Sequence, residues 1–89
     1  MLYMIIEKFH GGKVELIYER FEQRGRMMPD GLHYVNSWID ERLTVCYQVM
    51  ETDAIEKLYE WIANRHDLAD IEVIPVITSP EAKERVFKK

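Results

Sequence analysis

Cys46 and Gln48 stand two residues apart in a run rich in strand-forming residues, Val45 to Met50, with Glu51 directly after it. A carboxamide in the middle of a strand must find hydrogen-bond partners or contact a ligand. A thiol in such a place is a small apolar side chain unless a cation lowers its pKa, and no Lys, Arg or His adjoins Cys46 in the chain. Glu51 precedes a helix, where a carboxylate ordinarily steadies the first turn. Tyr3, Tyr34 and Trp38 can build an aromatic wall for a planar ligand, or else fill a core between layers. The candidate ligand-binding residues are therefore Tyr3, Tyr34, Trp38, Cys46 and Gln48, and no catalytic residue is assigned. His10, His33 and His66 are scattered and no H-E-x-x-H or C-x-x-C occurs, so neither a metal site nor a cofactor is expected. Ser37 lacks the G-x-S-x-G setting of an activated nucleophile. Gly11-Gly12 lacks the spacing of a phosphate cradle and reads as a turn.

The elements that must position these groups centre on the stretch from Gly31 to Glu51. It reads as two strands, Leu32 to Ile39 and Leu43 to Met50, joined by the polar turn Asp40-Glu41-Arg42. In the first strand one parity is Leu32, Tyr34, Asn36 and Trp38, and the other is His33, Val35, Ser37 and Ile39. Both parities carry large apolar groups, so each face of the hairpin needs a cover. With an even hairpin loop Trp38 shares a face with Leu43, Tyr47 and Val49; with an odd one it shares a face with Thr44, Cys46 and Gln48. Val45, Tyr47 and Val49 are expected against the helices, because an all-apolar core would leave the polar groups of Cys46 and Gln48 without partners.

Around that hairpin, Leu2 to Phe9 reads as a first strand, apolar on both parities until Glu7 and Lys8. From Lys13 to Arg24, Val14, Ile17, Tyr18 and Phe21 form the apolar stripe of a helix whose wet face is Glu15, Glu19, Glu22 and Gln23. Gly25 is its expected C-terminal cap. Arg20, Arg24 and Arg26 gather at its end, as an anion site or as solvated charge with pairs such as Glu22 to Arg26. Pro29-Asp30-Gly31 is a turn. Asp53 and Glu56 form a capping box for a helix from Ala54, with Ile55, Leu58, Tyr59 and Ile62 buried and Trp61 and Arg65 at the flank. Ile71 to Thr78 is a last strand, and Pro75 assigns it to a sheet edge. Ser79 and Pro80 open a short basic helical tail ending at Lys88-Lys89.

The order β, α, β, β, α, β gives an α+β, ferredoxin-like fold, an antiparallel sheet ordered 4-1-3-2 with two helices on one face. Residues 1–79 form the single domain and residues 80–89 the tail. Two helices cover one face only, and the other would expose more apolar surface than a soluble monomer usually tolerates. The simplest cover is a second copy stacked face to face, a homodimer. The chain has 89 residues, enough for one small core, and its net charge of −4 with basic residues spread along it gives no phosphate-binding stripe, so nucleic acid is not an expected partner. One cysteine suits a reducing compartment, and the apolar opening MLYMIIE is too short for a membrane span or secretion signal, so a cytoplasmic location is expected.

The segments LYMIIEKF, GRMMPDGLHYVNSW, CYQVMETD, EWI and DIEVIPVITSPEA, in that order, resemble the small bacterial proteins grouped as domain of unknown function 3303. The resemblance covers nearly the whole chain. It implies a ferredoxin-like domain of the dimeric α+β barrel type, with no established reaction and no catalytic residues to carry over. Related barrels include cofactor-free monooxygenases, haem-degrading enzymes, muconolactone isomerases and amino-acid-sensing domains, so the fold alone spans several functions. The haem-degrading set of Asn, Trp and His is not matched: Asn36 and Trp38 share a strand, His66 lies near a helix end, and the first strand has no Asn.

The reading that follows is a homodimeric module that binds a small, largely apolar molecule or acts as an interaction unit. The rival is a cofactor-independent monooxygenase or isomerase acting on a small apolar or aromatic substrate. A third is a purely structural dimer with a filled interior. A polar group among Cys46, Gln48, Trp38, Glu7 and the histidines, pointing into a closed pocket, separates them.

Overall fold

The computed structural model describes residues 1–25 and 27–88. Arg26 and Lys89 lie outside the described residues, and with Arg26 the expected pair with Glu22 and the third cation of the arginine group. The chain runs β1 (Leu2–Phe9), α1 (Val14–Arg24), β2 (His33–Ile39), β3 (Val45–Glu51), α2 (Ile55–Ile62), β4 (Ala69–Val76) and α3 (Ser79–Phe87). The strands form one antiparallel sheet in the order β2-β3-β1-β4, which is 4-1-3-2 when read from the β4 side. β1 and β3 are central, and Pro75 falls in an outer strand, opposite Tyr3.

The pleat of β1 decides what lies under the helices. Tyr3, Ile5 and Glu7 are buried while Leu2, Met4 and Ile6 are only half-buried. Their partners on β3 are Met50, Gln48 and Cys46, so these share the helix-covered face. Tyr3, Ile5, Met50 and Leu32 pack with Leu58 and Trp61 of α2 into the larger core cluster. Ile17 of α1 packs with Leu68 and Ala69 in a smaller one.

This face assignment reverses the expectation for β3. Val45, Tyr47 and Val49 lie on the open side, opposite Lys8, Ile6 and Met4, and Cys46 and Gln48 lie beneath the helices. The polar groups are tolerated there because the layer between sheet and helices is itself polar at one end, where Glu7 and Arg65 meet. The hairpin takes the even alternative: Trp38 pairs with Tyr47 and shares its face. The register slips between Tyr34 and Asn36, so Val35 is an extra residue and the strict alternation expected for β2 fails. Tyr34 thereby faces the helix side with Ser37, while Trp38 faces the open side.

The hairpin turn is longer than three residues. Asp40 N–H bonds to Val45 O and Leu43 N–H to Asp40 O, with Leu43 in the left-handed region at φ 60°. The Asp40 carboxylate accepts from the N–H groups of Thr44 (2.6 Å) and Val45 (2.7 Å) and from the Thr44 hydroxyl (2.7 Å). These bonds hold its pKa below the ordinary 3.8. Gly25 caps α1 as expected, its N–H reaching Phe21 O from a φ of 66° that a side chain would strain.

Two helix starts differ from expectation. The capping box at Asp53 does not form; Asp53 is fully exposed, and buried Thr52 accepts from Ala54 N–H (3.1 Å) instead. The buried stripe of α2 is rotated toward its bulkiest side chain, with Leu58 and Trp61 buried and Ile55 and Tyr59 exposed. For α3 the cap is Thr78 rather than Ser79, its hydroxyl accepting from Glu81 N–H (3.3 Å). α3 buries none of its side chains, and Val86 and Phe87 are among the most exposed apolar residues.

Candidate functional site

A half-open cleft of about 100 Å³ lies between α1 and the sheet, lined by Phe9, Ile17, Tyr18, Phe21, Ser37, Cys46, Gln48 and Arg65. It exists because α1 rests on the sheet mainly through Ile17. Tyr18 and Phe21, the rest of its expected stripe, stay partly exposed and form an outer wall instead of closing on the strands. The floor belongs to β2 and β3, where Ser37 pairs with Gln48 across the ladder. Strand backbone fixes both floor groups, which suits precise hydrogen bonding better than a loop would.

Arg65 follows α2 and closes one side. Its guanidinium lies 4.7 Å from the centre of the Trp61 ring, a stacking contact within cation–π range. Its Nε donates to Glu7 Oε2 at 3.1 Å; the Glu7 side chain is fully buried and that of Arg65 is 16% exposed. Glu7 is not one of the cleft-lining residues, but it pairs across the ladder with Cys46, which is. Among the described residues, the Arg65 terminal nitrogens make no further hydrogen bond, and the residue lines both the cleft and the depression beside it. Burial first, then the nearby Cys46 and Glu7, push the Tyr18 phenol above its ordinary 10.0, against an opposing effect of Arg65. The phenol is thus a neutral hydroxyl at physiological pH.

A second depression adjoins the first, sharing Ile17, Phe21 and Arg65 and reaching Arg20. Arg20 is already engaged: it donates twice to the Asp67 carboxylate (3.1 and 3.0 Å) and once to Asn64 O (2.8 Å). The hydrogen bond from Arg20 holds the Asp67 carboxyl low, and the same bond raises the guanidinium's pKa.

Of the five candidates from the sequence, the cleft brings together Cys46 and Gln48. Tyr34 stands at its rim, its hydroxyl 2.7 Å from Ser37 Oγ. Tyr3 belongs to the larger core cluster, and Trp38 lies on the opposite face of the sheet with 56% exposure. The expected aromatic wall of Tyr3, Tyr34 and Trp38 therefore does not form, and aromatic residues of α1 and β1 take that place. Arg65, Tyr18 and Phe21 were assigned only helix positions by periodicity. The signal that finds Glu7 is its parity: it continues Tyr3 and Ile5 on the core side of β1. His10 pairs with Asp70 at 3.0 Å and His66 turns back to Ala63 O, both away from the cleft. Among the described residues, no group of three or more His, Cys, Asp or Glu side chains could hold a metal ion.

Comparison with known proteins bears on the fold and the family. The model of the family described as Domain of unknown function (DUF3303) matches residues 1–89. The chain belongs to this family. No curated protein sequence matches it. The crystal structure of SCO4226 from Streptomyces coelicolor A3(2) is similar, with a TM-score of 0.61 at 18% identity over 89% of this chain and 99% of that one. That likeness is one of fold. A Chloroflexus aurantiacus J-10-fl protein assigned by name to the antibiotic biosynthesis monooxygenases matches at TM-score 0.46 and 16% identity, over 89% of this chain and 96% of that one. No described helix is long and apolar enough to cross a membrane.

Proposed function

We propose that this DUF3303 chain is a small-molecule-binding module whose site is the cleft between α1 and the sheet, and that two copies stack through their open sheet faces. The observation that carries the first part is the composition of the cleft wall. Phe9, Ile17 and Phe21 offer an apolar body site, while Ser37, Tyr18, Arg65 and Gln48 make the wall polar toward one end of a ligand. A volume of about 100 Å³ suits a small molecule with a few carbons and one polar group. The enzyme alternative needs a proton acceptor at the ligand, and Glu7, the carboxylate whose charge reaches Tyr18, is not one of the cleft-lining residues and is engaged by Arg65.

The second part is supported by the open face. Met4, Ile6, Val45, Tyr47, Val49, Trp38 and Ile74 lie on it, with Tyr47 and Trp38 well exposed in the single chain. A contiguous patch of this kind usually marks an association surface. In such a dimer the binding clefts would face outward, one per copy.

The test of the binding site is a fragment titration of ¹⁵N-labelled full-length protein with small neutral amides, ketones and lactones. The expected shifts cluster at Ser37, Cys46, Gln48 and Arg65 and disappear in Cys46→Phe, which fills the cleft. Shifts confined to the surroundings of Trp38 and Tyr47, or none at all, would overturn the assignment.

A further inference from the structure

α3 is a helix that its own chain does not cover. None of its side chains is buried, and Val86 and Phe87 at its end are 65% and 76% exposed, the highest values among the large apolar residues described. Among the described residues, its hydrogen bonds and ion pair stay within residues 78–88: Glu81 N–H to the Thr78 hydroxyl, Lys88 N–H to Glu84 O, and Arg85 to Glu81 at 3.5 Å. The hollow beside it is lined by Pro80, Lys83, Glu84, Phe87 and Lys88, with no residue of the sheet or of the other helices. A helix of nine residues does not hold itself together in water and takes its stability from packing against something else. The chain is correspondingly spread, with a radius of gyration of 14.6 Å against about 12 Å for a compact domain of this length.

Two copies stacked through their open sheet faces, as read above, bring this helix within reach of the second copy. Stacked sheets lie about 10 Å apart, and at about 1.5 Å per residue α3 is about 13 Å long. It follows β4, an outer strand, after Ile77 and Thr78, so it starts from the margin of the stack. The area of the stack leaves room for it. Four strands of seven or eight residues present roughly 500 Å² on one face. A stable dimer takes about 800 Å² from each partner, and a buried aromatic side chain such as Phe87 adds about 150–250 Å². Charge favours the same contact. Residues 79–89 hold four Lys and Arg against two Glu, a net +2, which leaves −6 on residues 1–78 of a chain whose total is −4. The arm and the body of a second copy therefore attract each other.

We infer that α3 is an exchanged arm: in the stacked pair each copy lays its α3 against the other, with Val86 and Phe87 packed at the margin of the other copy's open sheet face. The inference rests on the stacked dimer proposed above and names the segment that completes its interface. It also accounts for a helix with a formed N-cap at Thr78 and no core of its own.

The test compares the full-length wild-type chain with Phe87→Glu by sedimentation equilibrium. Phe87 packs against nothing buried in its own chain, so the substitution leaves the subunit fold intact. It removes two symmetry-related contacts per dimer, and the dissociation constant is expected to rise at least about tenfold. A second measurement needs no variant. In a mixture of ¹³C-labelled and unlabelled wild-type chains, isotope-filtered NOEs are expected between the Phe87 ring of one copy and methyl groups of Ile6, Val49 or Ile74 in the other. A wild-type dimer whose dissociation constant is unchanged by Phe87→Glu overturns the inference and leaves the stacked pair standing. So does a dimer in which Phe87 shows no NOE to the other copy, or shows NOEs only within its own chain. A wild-type chain that is monomeric at every concentration overturns the stacked pair and the inference together.

Discussion

Arg65 Nε and Glu7 Oε2 lie 3.1 Å apart across 58 positions of sequence, and they tie the end of α2 to the centre of the sheet. Removing one member of a buried ion pair strands the other, whereas replacing both with apolar groups is often neutral or better. Glu7→Leu and Arg65→Leu are each expected to lose about 3–5 kcal/mol of stability. The double variant should recover most of it. Urea denaturation reads all three, and a single variant that unfolds at the wild-type midpoint would show that the pair contributes nothing.

The open sheet face gives a second expectation. If Trp38 and Tyr47 meet a second copy, Trp38→Glu places a charge in that contact and should convert dimer to monomer in sedimentation velocity. The cleft lies on the other face, so amide resonances of Cys46 and Gln48 should scarcely move. A wild-type chain that sediments as a monomer at every concentration would rule the dimer out.

Acid should loosen the hairpin turn first at Asp40. Its folded pKa is held below the ordinary 3.8 by hydrogen bonds from Val45 N–H, Thr44 hydroxyl and Thr44 N–H. A depressed carboxyl stabilises the fold fully above its unfolded pKa and loses that contribution as pH falls through the lower, folded value. The turn is therefore unaffected at neutral pH and weakens only below pH 3.8. Asp67, lowered by Arg20, follows the same sign. An NMR titration of both side-chain carboxyls against pH should give midpoints under 3.8, and a midpoint above it for Asp40 would deny the turn its anchor.

Thr78 starts a helix that buries no side chain of its own. Loss of an N-cap costs about 1 kcal/mol of helix stability. Thr78→Ala should accordingly speed amide hydrogen exchange across α3 severalfold while leaving the global unfolding midpoint nearly in place. A large fall in that midpoint would mean that α3 is integral to the folded core.

Much of the architecture was legible because apolar periodicity and turn chemistry agree with each other. The proline in Ile71 to Thr78 placed the last strand at an outer position, and Gly25 marked the end of α1. The site was less legible. The face of β3 was misassigned because Gln48 and Cys46 were weighed against an apolar core, while the layer beneath the helices contains an ion pair that only long-range pairing reveals. Tyr34 was placed with Trp38 because period-two reading has no means of sensing the added residue at Val35. Trp61 displaced Tyr59 and Ile55 from the interior of α2 because the largest ring fills the space nearest Met50 and Ile5, a matter of packing volume that a hydropathy stripe does not register.

That added residue has one more effect. Val35 interrupts the row of backbone donors and acceptors that β2 offers to its outer side, and the Pro75 ring does the same for β4. Neither flank of the sheet offers a clean template for another chain to zip onto. Copies of this protein can be laid on top of one another, but sideways growth into an open-ended ribbon is obstructed at both ends, so its greasy face can be available for recognition with less danger of runaway polymerisation.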